Sequence, residues 1–194
     1  MEELLDIYTW LRRWGLSGGR ARMAAGARGR VLELGIGGGA NLPYYRGRLQ
    51  LVGLDPRSEA LTRAAASAAE VGRPAALVRA RAEALPFQNS SFDTVAGSLV
   101  LCSVGELEPA LAELRRVLAP GGQLRLVEHV RPVHQPLRLL IGFLAPLWFR
   151  WSHECHIDRD TPAALAAAGW RLRERREHLG GLLVEIVAEP QAKD

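Results

Sequence analysis

The stretch Val31-Leu-Glu-Leu-Gly-Ile-Gly-Gly-Gly-Ala40 constrains the fold more than any other part of the chain. An apolar run of strand length that stops in glycines predicts a buried strand turning sharply toward a helix. Glycine is required where the backbone takes positive φ or where a ligand lies so close to the main chain that a Cβ would collide with it. Gly35, Gly37 and Gly39 are therefore expected to form a cradle. A helix beginning near Ala40 and Asn41 is expected to aim its unpaired N–H groups at an anionic part of the ligand.

A second buried strand, Leu49-Gln-Leu-Val-Gly-Leu-Asp55-Pro56, ends in an acid twenty residues after Gly35. An acid at the carboxyl edge of a sheet can accept both hydroxyls of a ribose. Loop and acid together predict a nucleoside-containing cofactor, and two remain open at this point. Gly35-x-Gly37-x-x-Ala40 fits a dinucleotide fingerprint, whereas Glu33-x-Gly35-x-Gly37-x-Gly39 fits an S-adenosylmethionine loop.

Composition narrows the chemistry. The 194 residues suit one domain spanning 1–194, and a hydrophobic share of 48% indicates a globular core. The net charge is +4, but 24 of the 25 basic residues are arginines scattered in ones and twos, so no nucleic-acid partner is expected. Lys193 is the sole lysine. That excludes a P-loop lysine, a Schiff base and the Tyr-x-x-x-Lys pair of a short-chain dehydrogenase. Two cysteines, Cys102 and Cys155, make no disulfide framework, and the acidic Met1-Glu2-Glu3 start has no signal-peptide pattern; a cytoplasmic location is expected.

Along the chain, residues 2–14 carry apolar positions at helical spacing, including Tyr8, and read as an amphipathic helix covering the core edge or the cofactor side. Residues 17–29 read as a short helix or a loop. Ser58, as N-cap, opens an alanine-rich helix to Val71; strands follow at 75–80 and 92–100, the latter ending near the small residues Ala96, Gly97 and Ser98, which leave room for a ligand. A helix over 106–119, stopped by Pro120-Gly121-Gly122, precedes a strand over 123–129. Thr161-Pro162 reads as N-cap and N1 of a helix ending at Gly169, and strands over 170–177 and 182–188 read as an antiparallel hairpin. The expected fold is α/β, a doubly wound, mostly parallel seven-stranded sheet of Rossmann-like form closed by that hairpin. Residues 131–160 form an insertion with the most apolar stretch, 139–149, flanked by Arg138 and Arg150. It is too short to span a bilayer and reads as a lid or acceptor-binding helix kinked at Pro146; the alternative is peripheral membrane contact through 139–151, with Trp148 and Trp151 as anchors.

This order of pieces resembles the class I S-adenosylmethionine-dependent methyltransferases from Val31 onward. The matching residues are Glu33-Leu-Gly-Ile-Gly-Gly-Gly39, Leu54-Asp55-Pro56, Ala82-Glu83-Ala84-Leu85-Pro86-Phe87, Ser91-Phe92-Asp93-Thr94-Val95 and Leu114-Arg-Arg-Val-Leu-Ala-Pro-Gly-Gly122. The resemblance implies S-adenosylmethionine as cofactor and S-adenosylhomocysteine as product. It implies that the loop of Gly35, Gly37 and Gly39 lies against the methionyl part with Glu33 beneath it, that Asp55 takes the ribose hydroxyls, and that the main chain of Ala82 meets the adenine, with Glu83 as the substitute acceptor; Asn41, Pro56 and Ser98 complete the expected cofactor set. Arg81 stands where the family usually has the acid that accepts the adenine amino group. A narrower resemblance, in Leu99-Val-Leu-Cys-Ser-Val104, Val127-Glu-His-Val130 and Cys155-His-x-x-Arg-Asp-Thr161, is to the methyltransferase-like subgroup that includes the alkyl-thiol S-methyltransferases.

Methyl transfer from a sulfonium is an in-line displacement, so the protein mainly aligns the nucleophile and excludes water. A base is needed only for a protonated acceptor, and His129 at a strand's carboxyl end is the expected catalytic base. Tyr8, Cys102, His129, Trp148, His156 and Asp158 are expected to line the acceptor pocket. His153, Cys155 and His156 have metal-ligand chemistry but no distant fourth partner, so no metal is expected. The expected activity is methylation of a small apolar acceptor, with a thiol favoured. The rivals are a phospholipid or quinone methyltransferase at a membrane surface and an S-adenosylmethionine-binding protein without turnover.

Overall fold

The computed structural model of the protein describes residues 16–152 and 155–191. The helix expected over 2–14, with Tyr8, and the side chain of His153 lie outside those residues. In chain order the elements are α1 (Ser17–Ala25), β1 (Arg30–Leu34), β2 (Gln50–Asp55), α2 (Ser58–Glu70), β3 (Ala76–Arg79), β4 (Phe92–Ser98), α3 (Leu107–Val117), β5 (Leu118–His129), α4 (Gln135–Trp151), α5 (Thr161–Ala167), β6 (Trp170–His178) and β7 (Leu183–Pro190).

The strands form one seven-stranded sheet in the order β3-β2-β1-β4-β5-β7-β6. The pairs from β3 to β5 are parallel, and β7 is antiparallel to both β5 and β6. Strand β1 is buried from Val31 to Leu34 because both of its faces are covered, which is why its sequence is continuously apolar apart from Glu33. Leu111 and Leu114 of α3 and Leu165 of α5 pack on one face with Trp170. Met23 and Ala24 of α1 and Ala64 of α2 pack on the other with Val31 and Val127. This is the doubly wound α/β sheet with a closing hairpin that the sequence predicts.

Several local expectations shift. The chain over 17–29 is helical only to Ala25. Only one 3-10 turn, Leu42–Tyr44, follows the glycine loop, since Pro43 lies in it and Tyr45 is already extended at ψ 137°. No helix dipole therefore faces the loop. Arg57, not Ser58, is the extended residue at the start of α2. Asp160, not Thr161, caps α5, its carboxylate accepting the Ala163 N–H at 3.1 Å. β4 ends at Ser98, not Val100, because Leu99 takes a positive φ of 54°. β5 begins at Leu118, where Leu118 pairs with Phe92 across an irregularity that absorbs Pro120 and Gly121. α4 extends four residues before the apolar stretch and continues through Pro146.

Candidate functional site

A cavity of about 630 Å³ opens at the carboxyl ends of β1, β2 and β4. Strand order reverses at β1, which has β2 on one side and β4 on the other. A crevice at such a reversal is where open α/β sheets take their ligands. Gly35, Asp55, Pro56, Ala82 and Glu83 of the expected cofactor set line the cavity, together with Leu99 and Arg57. At about 630 Å³ the space suits a nucleoside-sized molecule.

The loop that floors this cavity is fixed by Asp55. Its Oδ2 accepts the Gly37 N–H at 3.1 Å, and Oδ1 accepts the main-chain N–H and Nε–H of Arg57 at 3.0 and 3.2 Å. Gly37 meets Asp55 with φ 55°, a conformation that side chains rarely adopt. At Gly39 packing alone requires glycine: a Cβ there would come within 2.6 Å of Leu42 Cδ1 and 3.1 Å of Ser67.

Glu33, Asn41 and Ser98 form a second group behind the cavity wall. Asn41 Nδ2 donates to Glu33 Oε1 at 2.8 Å and to Ser98 Oγ at 3.0 Å. Glu33 is fully buried, and burial pushes its carboxyl up to about 7 against the opposing influence of Asn41, Tyr45 and Arg20. It is therefore close to half-protonated at neutral pH.

Arg81 and Glu83 face each other at 3.5 Å at the adenine end expected from the sequence. Glu83 Oε1 accepts the Gly105 and Glu106 N–H groups at 3.0 and 3.4 Å, so it braces the next loop. Burial would raise the Glu83 carboxyl, yet these main-chain donors and Arg81 leave it lowered.

The residues expected around the acceptor gather partly. His129, at the end of β5, has Nδ1 3.7 Å from Cys155 Sγ, and Cys155 Sγ lies 3.4 Å from Cys102 Sγ. Trp148 stands edge-on to His129 with ring centroids 6.3 Å apart. Its indole N–H is buried without a nitrogen or oxygen partner among the described residues, and it is near enough to Cys155 to favour the thiolate. Trp148 is thus turned inward, not outward as a membrane anchor. The hydrogen bond between the two sulfurs lowers Cys155, while it and burial raise Cys102. His156 packs on Phe149 at 4.7 Å, and its N–H donates to the Cys102 carbonyl at 2.7 Å. Asp158 contributes its main-chain carbonyl, which accepts Arg131 Nε–H at 2.9 Å.

Residues that sequence reasoning passed over hold this side in place. The buried Glu128 carboxylate accepts the N–H groups of Val100, Leu101 and Cys102 at 3.0, 3.0 and 3.2 Å. Arg159 Nη1 donates to the carbonyls of Leu101 and Val104. Glu128 stands in the sequence within the Val127-Glu-His-Val130 match but is given no role there; an acid between His129 and the buried Val127 is itself a signal of a satisfied carboxylate.

The methyltransferase-domain family pattern matches residues 32–126. A phosphatidylethanolamine N-methyltransferase of Cereibacter sphaeroides is 36% identical over 137 residues, 69% of this chain and 68% of that protein. The human thiol S-methyltransferase TMT1B is 34% identical over 142 residues, 70% of this chain and 58% of that protein, so the chain spans little more than half of that relative. Among solved structures, the YcgJ protein of Bacillus subtilis superposes with a TM-score of 0.72 at 19% identity, covering 91% of this chain and 100% of that one; this similarity speaks to the fold.

Proposed function

The chain belongs to the class I S-adenosylmethionine-dependent methyltransferases, and on that premise we propose that it methylates a small apolar acceptor, a thiol in preference to an amine or a phenol. The observation that carries this reading is a soft cluster held by segments that reach the cavity at Ser103 and Ser152: two sulfurs, the His129 imidazole and the Trp148 indole meet in it. The Glu128 carboxylate beneath them is consumed by three main-chain donors, which leaves it poorly placed to hold a cationic amine. The 34% identity to a thiol S-methyltransferase is in keeping with it.

The residues at the cavity fit the cofactor. Asp55 is buried yet lines the cavity; its Oδ2 has capacity for one further donor, and a second ribose hydroxyl would take the place of the Arg57 Nε–H on Oδ1, which comes from a largely exposed side chain. The glycine loop leaves its backbone open where a Cβ at Gly37 would meet nothing closer than 4.0 Å, so main chain can approach the ligand. Bound there, S-adenosylmethionine supplies an electrophilic methyl group on a sulfonium.

The chain's own residues then orient and shield. Asp55 fixes the ribose, Leu99 and Val100 keep water from the reacting end, and the His129 imidazole accepts the acceptor's proton. These residues would hold the acceptor sulfur in line with that methyl group, so the displacement would ask for alignment and for no covalent intermediate on the protein. A thiol near pKa ~8.5 is partly ionised at neutral pH and asks little of the base.

A second reading, methylation of a phospholipid or quinone at a membrane surface, is favoured by the exposed apolar side chains of α4, among them Phe143 and Trp151 at 83% and 87% exposure. No helix among the described residues is long and apolar enough to cross a membrane, so this contact would be peripheral. Incubating the protein with S-adenosylmethionine and a panel of apolar thiols, phenols, amines and phosphatidylethanolamine vesicles separates the two. S-methyl products with free thiols support the first reading; methylation confined to the vesicle lipid overturns it.

A further inference from the structure

Cys102, His129 and Cys155 are 27 and 26 positions apart in sequence and come from three different parts of the fold: the loop after β4, the end of β5 and the segment after α4. Their donor atoms nevertheless lie within 4.8 Å of one another. The two separations that matter are 3.4 Å between the sulfurs and 3.7 Å from Cys155 Sγ to His129 Nδ1. Tetrahedral zinc with bonds of about 2.3 Å to sulfur and about 2.0 Å to nitrogen requires edges of about 3.8 Å between sulfurs and about 3.5 Å from sulfur to nitrogen. These two edges are within a few tenths of an ångström of those values, and the third, from Cys102 Sγ to the imidazole, is within 4.8 Å, so a bound ion would draw the imidazole toward Cys102.

The cluster is also held in place before anything binds. Glu128 anchors the main chain of Val100 to Cys102 from below, the His156 N–H ties the Cys155 segment to the Cys102 carbonyl, and Arg159 clamps the carbonyls on either side. Such outer bracing is what orients metal ligands. A disulfide explains the cluster less well. It would need the sulfurs to close to about 2.05 Å, and it gives no reason for an imidazole nitrogen to converge on the same point.

We propose that Cys102, Cys155 and His129 Nδ1 form a three-ligand site for a thiophilic metal ion, Zn²⁺ foremost, whose fourth position is open to an exogenous sulfur ligand. Two sulfurs and one nitrogen with an open position are the donor set of catalytic rather than structural zinc. Both cysteines coordinate as thiolates and release their protons to solvent. Ser103, next to Cys102 in the chain, and Ser152, three residues before Cys155, line the cavity, so the segments that carry both cysteines reach the space assigned to the cofactor. The fourth position then takes the acceptor as its thiolate, its proton also going to solvent; in the metal-loaded protein this replaces the base role given above to His129, whose Nδ1 is then a ligand. After transfer the neutral thioether is a weaker ligand and leaves. The assignment of the fourth position to the acceptor rests on the thiol reading above; the metal site does not.

The test uses the full chain purified anaerobically in reduced form, loaded with Zn²⁺ or Co²⁺ and dialysed against a weak chelator. About one equivalent of metal is expected to be retained, with a thiolate-to-cobalt charge-transfer band and the visible bands of tetrahedral Co²⁺. Cys102→Ser, Cys155→Ser and His129→Ala should each weaken binding by about 100-fold or more, while calorimetry with S-adenosylmethionine shows that each variant remains folded. No retained metal, a cobalt spectrum without sulfur charge transfer, or equal retention by the double cysteine variant overturns the site. Adding benzyl mercaptan to the Co²⁺ form is expected to shift the visible bands. Unshifted bands in a protein that does methylate thiols overturn the fourth-position assignment alone. Bands that depend on Cys102 and Cys155 in a protein that methylates no thiol support the metal site and overturn the thiol reading.

Discussion

Asp55 Oδ2 accepts the Gly37 N–H at 3.1 Å, so the acid at the end of β2 and the glycine loop after β1 are one piece of structure and not two separate contacts. Removing the carboxylate both deprives a ribose of its acceptors and leaves the loop amide without a partner. Asp55→Ala is expected to weaken S-adenosylmethionine binding by about 100-fold, the equivalent of one or two lost hydrogen bonds to a charged group. Asp55→Asn keeps one acceptor and should lose about tenfold. Calorimetric titration of both variants, with NAD as the control ligand, checks this; saturable NAD binding by the wild type would count against the cofactor assignment.

Glu33 makes stability depend on pH with a definite sign. Burial raises its carboxyl from 4.5 to about 7 in the folded protein. Between those values the folded state holds a proton that the unfolded state does not, so the contribution is complete below pH 4.5 and is lost as pH rises through about 7. At 1.36 kcal/mol per pH unit the loss is about 3 kcal/mol. Glu33→Gln keeps the contact with Asn41 and removes the ionisation. Thermal melts of wild type and variant from pH 4.5 to 8 should diverge, the wild type falling more steeply; parallel curves would mean that the buried carboxyl is not raised.

The strands and the cofactor cavity were legible because their causes are local. β1 is buried on both faces and reads as an apolar run broken only by Glu33, β4 carries its buried Val95, Ala96 and Gly97 in sequence, and the ligand loop announces itself by positions such as Gly37 whose φ disfavours other residues. Cap positions were misread by one residue where two neighbours could each serve: Thr161 and Asp160 both carry a suitable oxygen, and only the folded backbone decides that Asp160 reaches Ala163. The cluster of Cys102, His129 and Cys155 was not legible at all as a group. Sequence proximity pointed to His153, Cys155 and His156, whereas the side chain of His156 packs on Phe149 and the sulfur of Cys155 turns to residues brought in by tertiary packing.

Glu128 holds three buried main-chain donors that no other described side chain is seen to satisfy. Glu128→Ala orphans all three and is expected to cost about 3 kcal/mol or more of folding stability. Glu128→Gln retains an amide oxygen for Val100 and Leu101 but turns a donor toward the Cys102 N–H, and should cost about 1 to 2 kcal/mol. Urea melts rank the three proteins; a Glu128→Ala variant as stable as wild type would show that the loop finds other acceptors.

The outward face of α4 distinguishes a lid from a membrane contact. Leu139, Leu140, Phe143, Leu147 and Trp151 recur at spacings of one to four residues and are exposed, while Ala145 is the one fully buried side chain of the helix. Arg138 and Arg150 are exposed near its two ends, where they can meet anionic headgroups. Because Phe143 and Leu147 are 83% and 67% exposed, replacing both by Ser removes little buried contact, and the melting temperature should hardly change. If the face enters an interface, each large side chain contributes up to about 1.5 to 3 kcal/mol on burial, and the double variant should lose about tenfold or more in co-sedimentation with vesicles of anionic phospholipid. If wild type and variant both stay in the supernatant, the face is not a membrane contact, and the exposed helix is left to cover the acceptor side of this protein.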